Sequence, residues 1–234
     1  MLSVNDLSFS FKKNVIFDQV SFSINDGELV GLVAPNGTGK TTLLKLLCGL
    51  LPTAATTLTL NGIHLYQHRT AYLRQLFFLE NSNQLYADLT VADHLTYVRS
   101  MWHSAVDIAG VVDSLGMAGY YRKKIKTLSL GMKQHVLLAM YLVSDAQTLL
   151  IDEPLNGLDP TSIQQFERVF LALKQQGKSM LISSHQMDSV GRVSDRVFFL
   201  QNQTIVPIEN TGQDMLAVYN TMYLKAGEQH ARSV

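Results

Sequence analysis

The stretch that decides the fold is VAPNGTGKTTL, residues 33–43. It follows the short apolar run ELVGLV, residues 28–33, and leads into a leucine-rich segment with helical spacing. A strand, a glycine-containing loop and a helix in this order are typical of the loop G-x-x-x-x-G-K-[ST], whose backbone amides cradle the phosphates of a nucleotide. One position departs from that pattern, because Ala34 stands where a glycine is expected.

The loop has the residue types that phosphate binding requires. Gly37 and Gly39 allow a positive φ and a close approach of the backbone to phosphate. Lys40 is predicted to reach the β- and γ-phosphates, and Thr41 to ligate Mg²⁺. We expect Ala34 to have a negative φ, so that its methyl group costs little. The residues predicted to contact the nucleotide in this loop are Asn36, Gly37, Thr38, Gly39, Lys40, Thr41 and Thr42. A chance match in an ordinary glycine-rich turn is the alternative.

A second segment, TLLIDEP, residues 148–154, makes that alternative much weaker. Its apolar residues predict a buried strand, and Asp152 at the carboxyl end can hold the hydration shell of a metal while Glu153 polarises an attacking water. Two adjacent carboxylates at the end of an apolar run are energetically unfavourable unless a cation binds them. Without the phosphate loop, acids facing solvent at a strand end would be the default interpretation.

Composition limits the function classes. The 234 residues are 47% hydrophobic, enough for a packed core. Lys plus Arg equals Asp plus Glu, at 19 each, so no bulk positive field would collect nucleic acid. The single cysteine and the absence of a secretion signal in MLSVNDLSFSF predict a cytoplasmic protein. The apolar stretch LLKLLCGLLP falls well short of the roughly 20 residues that cross a bilayer.

The patterns along the chain predict an α/β fold. Alternation from Leu7 to Ile24 indicates an antiparallel β start, and TLLIDEP and MLISSH with a helical segment between them indicate a parallel βαβ unit. We therefore predict a nucleotide-binding α/β core with a mixed, largely parallel sheet, an antiparallel β subdomain and a helical subdomain. In one domain, 1–234, the predicted parts are 1–71 (antiparallel β and phosphate loop), 72–133 (helical), 134–224 (rest of the core and a terminal helix) and 225–234 (a frayed tail).

The order of four motifs resembles one family. VAPNGTGKTT, LSLGMKQ, TLLIDEPLNGLDP and LISSH together resemble the ATP-binding subunit of ABC transporters, a P-loop NTPase, over nearly the whole chain. The signature segment, Leu128–Gln134, is similar to the family signature LSGGQ with Leu130 and Met132 substituted. The resemblance implies that Ser129 and Gly131 contact the γ-phosphate of ATP. The segment also has the pattern of a helix start capped by Ser129, and the two interpretations are compatible.

The resemblance implies a composite site. In the family the signature of one subunit completes the nucleotide site of another, so two subunits sandwich two ATP molecules with Mg²⁺, and one chain alone should be a poor ATPase. The resemblance implies that Asp159 in GLDP would report the state of one site to the other. His185 would contact the γ-phosphate and help to orient the attacking water and Glu153, and Lys40, Glu153 and His185 would be the catalytic residues. A lone histidine at a strand end is more often structural. With Glu153 and His185 present, both sites of a homodimer are predicted to hydrolyse ATP.

Two positions are weaker. Phe11 resembles the aromatic residue that stacks on adenine, but a core phenylalanine competes equally with that interpretation. Asn81 stands where the family usually has glutamine, a predicted Mg²⁺ contact and a link to the membrane partner. Asparagine is one methylene shorter, so Glu80 could replace it at the metal, or the loop could act only mechanically.

The preferred function is an ATPase subunit that powers a transporter. The signature variant resembles the exporter branch that moves drugs, antimicrobial peptides or lipids, with a slight preference for immunity-type peptide exporters. The resemblance implies integral membrane permease subunits as partners, a second ATP-binding subunit that is identical or related, and a location on the cytoplasmic face of the cell membrane.

A soluble ABC ATPase acting on nucleic acid or ribosomes is the alternative, but no coiled-coil insertion, second cassette or basic excess is present. A regulator with negligible turnover would not need Glu153 as a general base.

Overall fold

The computed structural model describes residues 1–53 and 57–231. The strands are β1 (Leu2–Phe11), β2 (Asn14–Ile24), β3 (Leu29–Val33), β4 (Thr57–Leu60), β5 (Ile63–His64), β6 (Leu76–Leu79), β7 (Thr148–Asp152), β8 (Ser179–Ser183), β9 (Arg196–Gln201) and β10 (Thr204–Glu209). The helices are α1 (Lys40–Leu47), α2 (Arg69–Arg74), α3 (Val91–Trp102), α4 (Ile108–Ser114), α5 (Leu130–Ser144), α6 (Pro160–Gln175), α7 (Met187–Val193) and α8 (Met215–Ala231), with 3₁₀ turns at Ser82–Gln84 and Ile125–Thr127.

The smaller sheet is antiparallel and has the order β2-β1-β4-β5. The predicted alternation is found in part: Leu7, Val20 and Ile24 are buried, and Phe9 and Phe22 are partly buried. The turn between β1 and β2 uses Lys12 with φ 55°. At the end of β1 that precedes this turn, Phe11 is exposed rather than buried.

The larger sheet has the order β10-β9-β3-β8-β7-β6. Its strands are parallel except β10, which pairs with β9 in an antiparallel hairpin. Strands β3 and β8 are buried throughout, as continuous apolar runs covered on both faces should be. Because the carboxyl ends of parallel strands meet at one edge, the loops after β3, β7 and β8 converge there. The prediction of an α/β fold with two kinds of sheet is confirmed.

The predicted helical part, 72–133, is not entirely helical. Residues Leu76–Leu79 form β6, whose partners are Thr148–Ile151 of β7, so this segment belongs to the large sheet. Its sequence, LFFL, is a short run without helical periodicity, and the sheet edge beside β7 can bury it. Helix α5 crosses the other predicted boundary, since it begins at Leu130.

The terminal helix is longer than the sequence indicates. Helix α8 continues to Ala231, beyond residue 225 where fraying was expected to begin, and residues 232–234 lie outside the described part of the chain. Tyr223 anchors the helix to the sheet, because its hydroxyl donates to the backbone oxygen of Leu200 at 2.9 Å. Of the helices in the described residues, none is long and apolar enough to span a membrane.

Candidate active site

The loop between β3 and α1 forms the floor of a cavity of about 390 Å³. Gly37 and Gly39 have φ of 81° and 118°, the left-handed region that the motif requires of glycine. Gly39 also has no room for a side chain, since a Cβ there would lie 2.7 Å from Cγ2 of Ile16. The cavity is lined by Phe11, Asn14, Ile16, Asn36, Gly37, Gly39, Lys40, Thr41, Thr42, Asp152 and Glu153.

Ala34 enters this loop without strain. It is buried and is not among the residues with positive φ, which confirms the expectation of a negative φ. Its backbone oxygen accepts a hydrogen bond of 2.8 Å from Nζ of Lys40. The glycine of the usual motif is therefore not needed at this position, because a methyl group is compatible with the backbone conformation.

Thr41 and Asp152 meet across the cavity. The Thr41 hydroxyl donates to Oδ2 of Asp152 at 2.6 Å, and the Ser183 hydroxyl donates to Oδ1. Burial raises the pKa of Asp152, although the hydrogen bonds from Ser183 and Thr41 act in the opposite direction. A buried carboxylate whose charge is disfavoured in this way gains from a nearby cation.

The donor set suits Mg²⁺ rather than a metal held by protein ligands alone. The described residues contain no group of three or more His, Cys, Asp or Glu side chains that could hold a metal. Mg²⁺ commonly binds through one or two protein oxygens together with phosphate and water, and a hydroxyl and a carboxylate side by side fit that mode. Thr41 and Asp152 are the residues that would hold it.

Glu153 adopts an unusual backbone conformation, with φ 47°. Its N–H donates to the backbone oxygen of Ser183 at 3.1 Å and lies 3.0 Å from the Ser183 hydroxyl oxygen. The side chain lies between two basic groups: Oε2 is 2.8 Å from Nδ1 of His185, and Oε1 is 3.7 Å from Nζ of Lys40. The predicted catalytic residues Lys40, Glu153 and His185 are therefore brought together.

Phe11 stands at the rim of the cavity. Its side chain is 49% exposed, so the alternative of a core phenylalanine is wrong. Its ring meets Phe9 edge to face, with 4.8 Å between the centroids. A supported, solvent-facing ring beside the phosphate loop is suited to contact with a flat aromatic ligand.

The residues predicted to contact the γ-phosphate or to report between the two sites lie outside this cavity. Ser129 caps α5 by accepting from the N–H of Met132 at 3.2 Å, and Asp159 caps α6 by accepting from Thr161 and Ser162. The hydrogen bond from Ser162 is the main reason that the pKa of Asp159 is lowered. Among the residues that the structure describes, neither Ser129, Gly131 nor Asp159 lines the cavity.

The side chain of Asn81 forms a hydrogen bond within its own loop. Its side-chain oxygen accepts from the N–H of Asn83 at 2.9 Å and caps the turn Ser82–Gln84, and within the described chain Asn81 does not line the cavity. The neighbouring Glu80 pairs with Lys45 of α1 at 2.9 Å, and its charge also acts on Asp152. The shorter side chain explains the difference, because an Asx turn onto residue i+2 is a local contact that asparagine makes readily.

Ser183 is a residue of the candidate site that the sequence analysis did not predict. It contacts both acids, through the Asp152 carboxylate and the Glu153 backbone. The available signal was its place at the end of a buried strand, immediately before Ser184 and His185, in a sheet where β7 and β8 are neighbours.

Comparison with known proteins gives one consistent result. A family profile described as "ABC transporter" matches residues 17–156. The lantibiotic transport ATP-binding protein SrtF of Streptococcus pyogenes is 30% identical over 207 residues, covering 88% of this chain and 89% of SrtF. The cytochrome c biogenesis ATP-binding export protein CcmA of Reclinomonas americana is 28% identical over 215 residues, covering 89% and 96%. A solved ATP-binding subunit of an ABC transporter shares the fold with a TM-score of 0.87, at 24% identity and 95% and 99% coverage.

Proposed function

This chain belongs to the ATP-binding subunits of ABC transporters and is an ATPase of that family, and from this premise we propose that it powers an exporter as one half of an ATP-sandwiched dimer. The observation that carries the proposal is the convergence of Lys40, Thr41, Asp152 and Glu153 on one cavity, with His185 on the Glu153 carboxylate. These are the groups that phosphate binding, metal binding and activation of water require.

Each side chain has a role that its contacts support. Lys40 supplies positive charge to the terminal phosphates, while the loop amides and the amino terminus of α1 hold the other oxygens. Thr41 and Asp152 hold Mg²⁺, which when bound neutralises phosphate charge. Glu153 accepts the proton of the attacking water, and His185 holds the carboxylate in place through Nδ1. Phe11 stacks on the adenine.

The residues that line this cavity support the proposal of a dimer. In the described chain, Ser129 and Gly131 at the amino terminus of α5 do not line it. Both belong to a helix amino terminus, a kind of site that attracts phosphate. We infer that this turn meets the ATP bound by a second subunit, identical or related, and that Asp159 lies at the contact between the subunits.

The exporter assignment rests on the named relatives, since SrtF is a lantibiotic transport protein and CcmA an export protein. We propose that integral membrane permease subunits carry the substrate and hold this chain at the cytoplasmic face of the membrane. A peptide of the lantibiotic class is the first substrate to test, with drugs and lipids as further classes. The alternative of a soluble ABC ATPase acting on nucleic acid has no structural observation in its favour.

Turnover of Mg-ATP against protein concentration tests the composite site. We expect the rate to rise more than linearly with concentration, and Glu153→Gln to abolish turnover while ATP traps a stable dimer. Glu209→Gln is the matched control, because Glu209 is exposed on β10, away from the cavity. A rate strictly proportional to concentration that Glu153→Gln leaves unchanged would refute the proposal.

Direction of transport needs a separate experiment. The chain should be reconstituted in proteoliposomes with candidate permease subunits, with its ATP site facing the outside. ATP added outside should then drive a lantibiotic peptide into the lumen. ATP-dependent release of preloaded peptide would instead indicate import.

A further inference from the structure

The first turn of α5 is attached to the loop that joins Glu153 to Asp159. Leu130 lies over Gly157 so closely that a Cβ on Gly157 would be 2.5 Å from Cδ2 and 3.2 Å from Cγ of Leu130. Gly157 has φ 75°, so its backbone also favours glycine. The side chain of Leu130 thus occupies space that only a glycine at position 157 leaves open.

Two further residues of α5 also contact this loop. A Cβ on Gly131 would lie 3.8 Å from Cδ2 of Leu158, and Nε2 of the buried Gln134 approaches the backbone oxygen of Asn156 at 3.5 Å. Consecutive residues of the loop, 156–158, therefore each face a residue of the first two turns of α5. A displacement of these turns moves the loop as well, because packed side chains transmit shifts.

We propose that Leu130 is a positioning residue that couples the two nucleotide sites of the dimer, by making the Ser129 turn and the loop after Glu153 move as one unit. The proposal rests on the dimer proposed above. When the Ser129 turn engages the ATP of the second subunit, Leu130 carries the displacement to Gly157. Glu153 begins the same loop, so the state of the second subunit's site reaches the general base of this chain's own site.

The side chain of Leu130 is itself suited to this role. It is 53% exposed, so it contributes little to the folded core, and it packs against Gly157. Shortening the side chain should release the loop without unfolding the protein. Coupling between the sites is then the property that changes.

The test is ATP-dependent turnover at protein concentrations where the dimer is saturated, for the wild type, Leu130→Ala and Leu130→Val. We expect a Hill coefficient near 2 in the wild type that falls toward about 1 in both variants. The kcat should fall about tenfold while KM changes less than about twofold. Leu130→Met, which keeps the volume, should retain the wild-type Hill coefficient.

Controls separate this role from others. Leu216→Ala removes a leucine of similar exposure, 48%, on α8, and should leave the Hill coefficient unchanged. In a Glu153→Gln background, Leu130→Ala should form the ATP-trapped dimer as well as the parent does, whereas loss of a direct contact with nucleotide would weaken it.

A cooperative wild type together with a fully cooperative Leu130→Ala would overturn the role of Leu130 alone. A wild type without cooperativity or concentration dependence would overturn the dimer, and this proposal with it.

Discussion

The carboxylate of Glu153 contacts two groups of His185: Nδ1 lies 2.8 Å from Oε2, and the backbone N–H donates to the same oxygen at 3.3 Å. Histidine and glutamate come from the ends of neighbouring strands, β8 and β7. The pair orients Glu153 toward the cavity, and the second oxygen of the carboxylate, Oε1, faces Lys40.

Replacing His185 should affect turnover more than binding. We expect His185→Ala to lower kcat about a hundredfold or more, because Glu153 loses the group that orients it. The affinity of the isolated chain for ATP should change less than about twofold. Equilibrium binding of a fluorescent ATP analogue and steady-state turnover measure the two effects. His68→Ala, at an exposed position before α2, is the control, and equal losses in both variants would contradict the role of His185.

Phe11 should contribute to nucleotide affinity and little to stability. We expect Phe11→Ala to weaken ATP binding about tenfold, because stacking of a base on an aromatic ring contributes about 1–3 kcal/mol. Phe11→Trp should retain affinity. Calorimetric titration with ATP gives both values. Tyr66→Ala removes an aromatic side chain of similar exposure, 48%, and should leave binding unchanged. Unchanged affinity in Phe11→Ala would show that adenine is held elsewhere.

Asp152→Asn should stabilise the protein at neutral pH while removing Mg²⁺-dependent turnover. Burial raises the pKa of Asp152 in the folded state, so the ionised carboxylate is disfavoured there, and wild-type stability is lost as pH rises through that pKa. The variant has no such charge. Its advantage should therefore grow as pH rises above about 4 and disappear below about pH 3, where the carboxyl group is largely protonated in both states.

Thermal unfolding between about pH 3 and about pH 8, with and without Mg²⁺, measures this difference. Mg²⁺ with a nonhydrolysable ATP analogue should raise the melting temperature of the wild type more than that of Asp152→Asn. Asp18→Asn, at an exposed position of β2, is the control. A melting temperature lower than wild type at pH 7 would show that the hydrogen bonds of the carboxylate outweigh its burial.

Restoring the glycine of the usual loop should bring no gain. We expect Ala34→Gly to leave turnover within about twofold of the wild type, because Ala34 already has the required conformation. The free energy of unfolding should fall by about 0.4–1 kcal/mol, since glycine gives the unfolded chain more freedom. Urea denaturation and steady-state turnover measure both quantities, with Ala146→Gly as a buried control. A severalfold increase in kcat would mean that Ala34 restrains the loop.

The sequence predicted the central features because they depend on local patterns. The phosphate loop, the buried strand ending in Asp152 and the cap at Ser129 each combine periodicity with a few required residue types. Strand β6 was not predicted, because LFFL is too short to show a period, and its sheet partner lies about 70 residues further along the chain. The contact of Leu130 with Gly157 likewise joins distant segments.

Asn81 shows a different limit. Its type was identified, but whether its oxygen points to a metal or back to Asn83 depends on the path of the loop. Phe11 was ambiguous for a similar reason. Alternation along β1 predicts on which face of the sheet a residue lies, but not how far along the strand the core still covers that face.

The left-handed backbone of Glu153 also has a meaning for protein engineering. For a residue other than glycine, asparagine or aspartate this conformation costs about 1 kcal/mol or more. A screen for heat tolerance without selection for activity should therefore recover Glu153→Gly or Glu153→Asn, which relieve the backbone and remove the proposed base. Thermal robustness and catalytic power compete at this one position, and a stabilised version of the protein should be sought by substitutions elsewhere.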